Sequence, residues 1–338
     1  MLPTRTLGRT QISVTCLGFG GAPLGDLYDQ LGDAAAIATV KAAYEAGMSL
    51  FDTSPHYGNG LSELRFGTAL RGLKRDAYVL STKVGRYMNP RAAGSTAGGP
   101  GFAGGVPHAS IVDYSYDGVL RSFEQSLLRL GLDRIDLLLI HDVDIWTHGP
   151  DLVDERFRNA MEGAYPALDR LRREGAVRAI GVGLNESEMC VRFAEAGDFD
   201  CVLLAGRYSL LQQDALERFL PLAERKGIGV ILGGVYNSGI LATGARPDAH
   251  FNYRLAPPDI MERAGRIERI CEAHSVPIAV AALQFALAGP AVTSVVLGAV
   301  SPDEVERNAA ALRHSIPQGL WRDLKDEGLL PASVPTPA

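Results

Sequence analysis

The chain has 338 residues, 46% hydrophobic and 21% charged, so it can bury a large core and is not a disordered segment. Its formal net charge of -6 gives no reason to expect a nucleic-acid or anionic-membrane partner. The longest apolar runs, such as DLLLI at 136–140, are far shorter than a membrane-spanning helix, and the opening MLPTRTLGRT reads as lacking a secretory signal.

Four cysteines, Cys16, Cys190, Cys201 and Cys271, stand far apart without CxxC spacing. They read as buried thiols, which points to a reducing, cytoplasmic setting. Monomer and homodimer both remain open.

Strand-like and helix-like segments alternate along nearly the whole chain. The first strand is CLGFG at 16–20, followed by a helix at 33–47 with Asp33 as its cap and Gly47 as its stop. Then come SLFDTS at 49–54, a helix near 61–70, AYVLSTK at 77–83, a helix near 116–130 and IDLLLIH at 135–141. A helix near 160–174 leads to VRAIGVG at 177–183, and one near 187–196 leads to DCVLL at 200–204. A helix near 212–226, IGVIL at 228–232, helices near 259–287 and TSVVLG at 293–298 follow. A last helix starts at Ser301-Pro302, a pairing of cap and first turn.

These are eight strands, several apolar almost throughout, as expected where both faces of a parallel sheet are covered. With no break in composition between them, they predict an α/β fold of the closed (β/α)8 TIM-barrel type over residues 1–338, with a doubly wound sheet as the alternative. Residues 88–115, rich in Gly, Ala and Pro, read as a long loop without regular structure, either a cover over the site or a passive connection. The end, 329–338, reads as a flexible tail.

Three successive strands run into an ionisable residue: Asp52, Lys83 and His141. In a barrel these strand ends form the rim where active sites assemble, and Tyr57 lies on the loop just beyond Asp52. A phenol titrates near pH 10, so Tyr57 can serve as a base only if a cation stabilises its anion. Lys83 can do so, held charged by Asp52, while His141 can hydrogen-bond a substrate oxygen. A structural ion pair and a packed loop aromatic are the plainer alternatives. No HExxH or comparable cluster suggests a metal, no GxSxG elbow or phosphate loop is present, and GFGG at 18–21 is too short for a dinucleotide fingerprint.

Several long motifs in order then carry a resemblance. TLGRTQISVTCLGFGGAPLG at 6–25, LFDTSPHYGNGLSELRFGTAL at 50–70 and LLRLGLDRIDLLLIHDVD at 127–144 resemble the aldo-keto reductases across essentially the full chain. The resemblance implies a short N-terminal hairpin, Tyr57 as general acid/base, Lys83 and Asp52 as its support, and His141 orienting the substrate oxygen. It implies a nicotinamide cofactor across the barrel mouth, with contacts from Asn185, Gly233, Asn237, Ser238, Gly298, Ser301, Glu304, Arg307 and Asn308. Leu184, Ala205 and Gly233 depart from the residues usual in the family. Gly298 and Glu304 stand where a Lys and an Arg grip the extra phosphate of NADP, so NAD is expected to be preferred, with NADP possible.

The segments LLAGRYSLL at 203–211 and VYNSGIL at 235–241 are similar to the branch that oxidises L-fucose, D-arabinose and L-galactose type aldoses at C1 to the lactone. Pyridoxal 4-dehydrogenase belongs to the same neighbourhood, and a general aldehyde reductase or a cofactor-binding accessory subunit are the other readings. Candidate substrate contacts are Pro23, Arg86, Tyr87, Trp146 and His148. The expected partner is a small sugar or other cyclic hemiacetal, not a membrane or nucleic acid.

Overall fold

The computed structural model describes residues 1–90 and 101–337. Eight parallel strands close into a barrel: β1 (Leu17–Gly20), β2 (Leu50–Asp52), β3 (Val79–Val84), β4 (Leu137–His141), β5 (Ala179–Leu184), β6 (Cys201–Ala205), β7 (Gly229–Gly233) and β8 (Val292–Leu297). Each strand pairs with its sequence neighbour, and β8 closes on β1 through Val295 opposite Leu17. Helices cover the outside, so the (β/α)8 expectation holds.

The period of two along a strand sorts residues into two cores. Leu50, Val79, Leu137, Leu139, Ala179, Leu203, Ile231 and Val296 pack together inside the barrel. Phe51, Leu80, Leu138, Ile140, Ile180, Val202, Leu232 and Val295 belong to the second core, with the helices. The antiparallel hairpin of Thr4–Thr6 and Ser13–Thr15 adds Leu7, Ile12 and Val14 to the inner core. Extending the inner parity by one step places Asp52, Lys83 and His141 at the upper end of the interior.

Local corrections have simple causes. Asp33 is the first helical residue, not the cap; Gly32 precedes it, and the Asp33 carboxylate accepts from Arg65 Nε at 2.9 Å. Residues 88–115 are not wholly irregular, because Arg86–Pro90 pairs antiparallel with His108–Val112. The central part of that loop, 91–100, lies outside the described residues. The helix at Ser301-Pro302 is capped as expected by the Ser301 side chain, but it is not the last. Gln318–Asp326 forms a further helix that buries Leu320, Trp321 and Leu324. The tail does not fray along its length: Leu329, Leu330 and Val334 are buried, and Arg263 donates to Leu329 O at 2.9 Å. Among the described residues, no single helix is long and apolar enough to cross a membrane.

Candidate active site

The upper end of the interior carries one continuous hydrogen-bonded chain. Lys83, 1% exposed, donates to Asp52 Oδ2 at 2.7 Å, to Thr53 O at 2.8 Å and to Tyr57 Oη at 3.1 Å. All three ammonium protons therefore have acceptors. Ser81 Oγ donates to the other Asp52 oxygen at 2.8 Å. Burial opposes charge on Lys83, but the Asp52 carboxylate and the Tyr57 oxygen outweigh it and raise the lysine pKa. Gly183 makes room for this lysine, since a Cβ there would sit 3.3 Å from Lys83 Cε.

Tyr57 is positioned by a tight turn in which Gly58, Asn59 and Gly60 all take positive φ (62°, 52° and 98°). The turn packs backbone to backbone against Gly25, whose Cβ would lie 2.4 Å from the Tyr57 carbonyl carbon. Burial raises the Tyr57 pKa more than Lys83 lowers it, so the resting group is the neutral phenol and not a stored phenolate.

His141 is hydrogen-bonded at Nδ1, 3.1 Å from Ser54 Oγ, while Nε2 lies 3.3 Å from Asp142 Oδ1 without a hydrogen bond to it. Burial, then Lys83, then Arg86 hold its pKa well below the ordinary histidine value, so the ring is neutral. Asp142, at a positive φ of 54°, forms an ion pair with Arg86 at 2.8 Å. It also accepts from Asn185 Nδ2 at 3.3 Å, which orients that amide. Asp144 Oδ2 holds the same residue through Asn185 N at 3.0 Å.

Two adjoining cavities meet at Tyr57. The first, about 610 Å³, is lined by Asn185, Gly233, Asn237, Ser238, Gly298 and Glu304 among the expected cofactor residues. Ser301, Arg307 and Asn308 are not on its wall: Ser301 caps its helix, and Arg307 lies 3.8 Å from Glu304. Pro23 belongs to this cavity and not to the second, because it packs against Gly298, where a Cβ would meet it at 2.6 Å. Gly233 has an ordinary φ, and a Cβ there would lie no nearer than 3.5 Å to a neighbour. Neither backbone nor packing demands glycine, so its absent side chain leaves open space on the cavity wall.

The second cavity, about 640 Å³, is lined by Lys83, His141, Arg86 and Trp146. Tyr87 and His148 do not reach it. Tyr87, next in the strand to inward Arg86, points away and lies 4.1 Å beneath the Arg121 guanidinium. His148 Nε2 is hydrogen-bonded to Tyr114 Oη at 3.0 Å.

Sequence reasoning missed several lining residues, four of them large or charged side chains at the rim. Tyr28 and Tyr253 border both cavities and Phe102 the second. Tyr253 sits at the tip of a small hairpin, His250–Phe251 with Arg254–Leu255, and its ring lies 6.4 Å from Trp146. Asn252 and Tyr253 both have positive φ, and an Asn-led two-residue turn was the available signal. Among the described residues, Arg207 is the one cationic side chain lining the first cavity, and it donates to Asn252 Oδ1 at 3.1 Å.

The arrangement can move a proton at Tyr57, which borders both cavities. Residues 16–326 match the model of the Aldo/keto reductase family. The chain is 42% identical over 336 residues to pyridoxal 4-dehydrogenase of Microbacterium luteolum, covering 96% of this chain and 97% of that one. It is 38% identical to D-threo-aldose 1-dehydrogenase of a Pseudomonas species, covering 95% and 96%. An aldo-keto reductase of Bacillus halodurans, solved in its holo form, superposes with a TM-score of 0.75 at 26% identity, covering 99% and 98%.

Proposed function

The chain belongs to the aldo/keto reductase family, as a nicotinamide-dependent oxidoreductase, and from that premise we propose that it oxidises the anomeric hydroxyl of an aldose to the lactone with NAD. The observation that carries the reading is the buried Asp52–Lys83–Tyr57 chain opening at Tyr57 between the two cavities. L-Fucose, D-arabinose and L-galactose are the expected substrate type. Pyridoxal in its cyclic hemiacetal form is the second reading, favoured by the 42% identical relative. Both substrates lose the same two atoms, a hydroxyl proton and a hydrogen on the hemiacetal carbon.

A nicotinamide bound in the first cavity supplies the acceptor for the hydride. Because burial favours the phenol, Tyr57 first gives its own proton to solvent in the cavities it lines and then takes the hydroxyl proton, so one proton leaves to solvent per turnover. The Lys83 ammonium at 3.1 Å stabilises the anion left behind, and Asp52 keeps that ammonium charged and aimed. Neutral His141 offers a hydrogen bond to the reacting oxygen without competing for its proton. Asn185, fixed by Asp142 and Asp144, is suited to a carboxamide.

NAD is favoured over NADP by Glu304. Its carboxylate lines the first cavity and accepts from Val300 N at 2.9 Å. A 2′-phosphate would meet this carboxylate, whereas free ribose hydroxyls can donate to it. Steady-state kinetics with both cofactors on the three sugars and pyridoxal tests the reading. Lactone formation with NAD is expected. Efficient reduction of simple aldehydes with no oxidation of any of the four would sink it. A kcat/KM for NADP more than about tenfold above that for NAD would overturn the cofactor assignment.

A further inference from the structure

We propose that His56, Asn59 and Ser110 form a neutral hydroxyl-recognition subsite in the second cavity, selecting uncharged polyhydroxy substrates over phosphorylated ones. The inference rests on the hemiacetal-oxidising reading above and narrows its substrate class. Two separate pieces of chain converge on this wall: the loop around Tyr57, which brings His56 and Asn59, and the strand His108–Val112, which brings Ser110.

Each of the three residues brings a buried polar atom without a partner: His56 Nδ1, Asn59 Oδ1 and Ser110 Oγ. Such a group costs about 1–3 kcal/mol when left unmatched, and folded proteins rarely tolerate it without a reason. Here they occur together in residues lining one cavity, alongside Arg86 Nη1, which lies 2.8 Å from Asp142 Oδ2 without a hydrogen bond to it. The Asn59 amide is oriented, because its Nδ2 donates to His108 O at 3.0 Å and leaves Oδ1 as an acceptor. Ser110 supplies a hydroxyl that can donate or accept, and one nitrogen of a neutral imidazole can do either. This donor and acceptor set matches a hydroxyl group, which needs both.

The charges nearby are already matched. Lys83 is held by Asp52 at 2.7 Å and Arg86 by Asp142 at 2.8 Å. A phosphate carries roughly -1.5 to -2 charges, would be desolvated there, and among the described lining residues would have to compete with Asp142 for Arg86 and with Asp52 for Lys83. A neutral hydroxyl meets no such penalty.

The test compares kcat/KM for L-galactose, its single-deoxy analogues (L-fucose among them) and L-galactose 6-phosphate, in wild-type, Ser110→Ala and Ser110→Thr enzymes. The wild type is expected to favour the parent sugar over at least one deoxy analogue by about tenfold, the worth of one matched hydrogen bond. It should turn over the phosphate at least about a hundredfold less well. Ser110→Ala should collapse the deoxy ratio toward one, and Ser110→Thr, which keeps the hydroxyl, should restore it. A ratio unchanged in Ser110→Ala, or equal use of the phosphate by the wild type, overturns the subsite while leaving hemiacetal oxidation intact. No oxidation of any unphosphorylated sugar or of pyridoxal by the wild type removes the functional reading and the subsite together.

Discussion

Replacing Tyr57 with Phe deletes a single oxygen from the centre of the hydrogen-bonded chain. Lys83 keeps its contacts to Asp52 at 2.7 Å and Thr53 O at 2.8 Å, so the buried ion pair survives. The ring also stays, with its edge-on packing 6.0 Å from His141 and its contact 6.2 Å from Phe102. The stability cost is therefore one hydrogen bond, about 1 kcal/mol, and the melting temperature should fall by no more than about 3 °C. The kinetic cost is far larger. A positioned acid or base contributes about 10²–10⁴-fold. The upper part of that range is expected because His141, held neutral by burial, Lys83 and Arg86, is a poor substitute base. Loss of about 10³–10⁴ in kcat corresponds to roughly 4–5.5 kcal/mol of barrier. The assay pairs initial rates at saturating sugar and NAD with a fluorescence titration of NAD and a thermal melt. Turnover within about tenfold of wild type in a folded variant would refute the acid/base role of Tyr57.

Two further outcomes follow from charge. Burial, with help from Arg86 and Lys83, lowers the His56 pKa to about 3, and His141 is also held low. The unfolded chain protonates both rings below pH ~6.5 while the folded chain does not, so stability is full above that pH and is lost as pH falls through the window toward 3. Urea midpoints should thus drop between pH ~7.5 and ~5.5, by at most about 1.4 kcal/mol per pH unit for each ring, and equal midpoints would contradict buried neutral imidazoles. Among the described residues Arg207 is the lone cation lining the first cavity, where a pyrophosphate needs charge-assisted donors. Arg207→Ala is expected to weaken NAD binding by about ten- to a hundredfold in a fluorescence titration, and an unchanged Kd would place the pyrophosphate elsewhere.

Much of this protein was determined locally. A strand covered on both faces must be apolar throughout, so the eight segments from CLGFG to TSVVLG declared themselves in the sequence. Alternation along each strand then carried Asp52, Lys83 and His141 to the same interior level as soon as the barrel closed. Long motifs identified the family for the same reason, since the residues around Asp52–Tyr57 and His141 are consecutive in the chain.

The misses have one origin: they depend on contacts between distant segments. Arg86 and Tyr87 are neighbours in sequence, yet one enters the cavity and the other meets Arg121, because the hairpin orientation decides which face is inward. The tail reads as loose by composition, but the apolar surface that buries Leu329, Leu330 and Val334 is created only by folding. Arg207 had no local signature and Tyr253 only its Asn-led turn, since their roles arise where the 250–255 hairpin meets the end of β6. The resting protonation of Tyr57 is a further property that residue type leaves open. Pairing with Lys83 is readable from residue type, whereas desolvation, which here outweighs it, depends on everything packed around the ring. Strand periodicity and motif chemistry are properties of short stretches, and the sequence holds them outright. Burial, cavity walls and the balance of charge against desolvation are sums over the whole fold, and only the tertiary structure computes them.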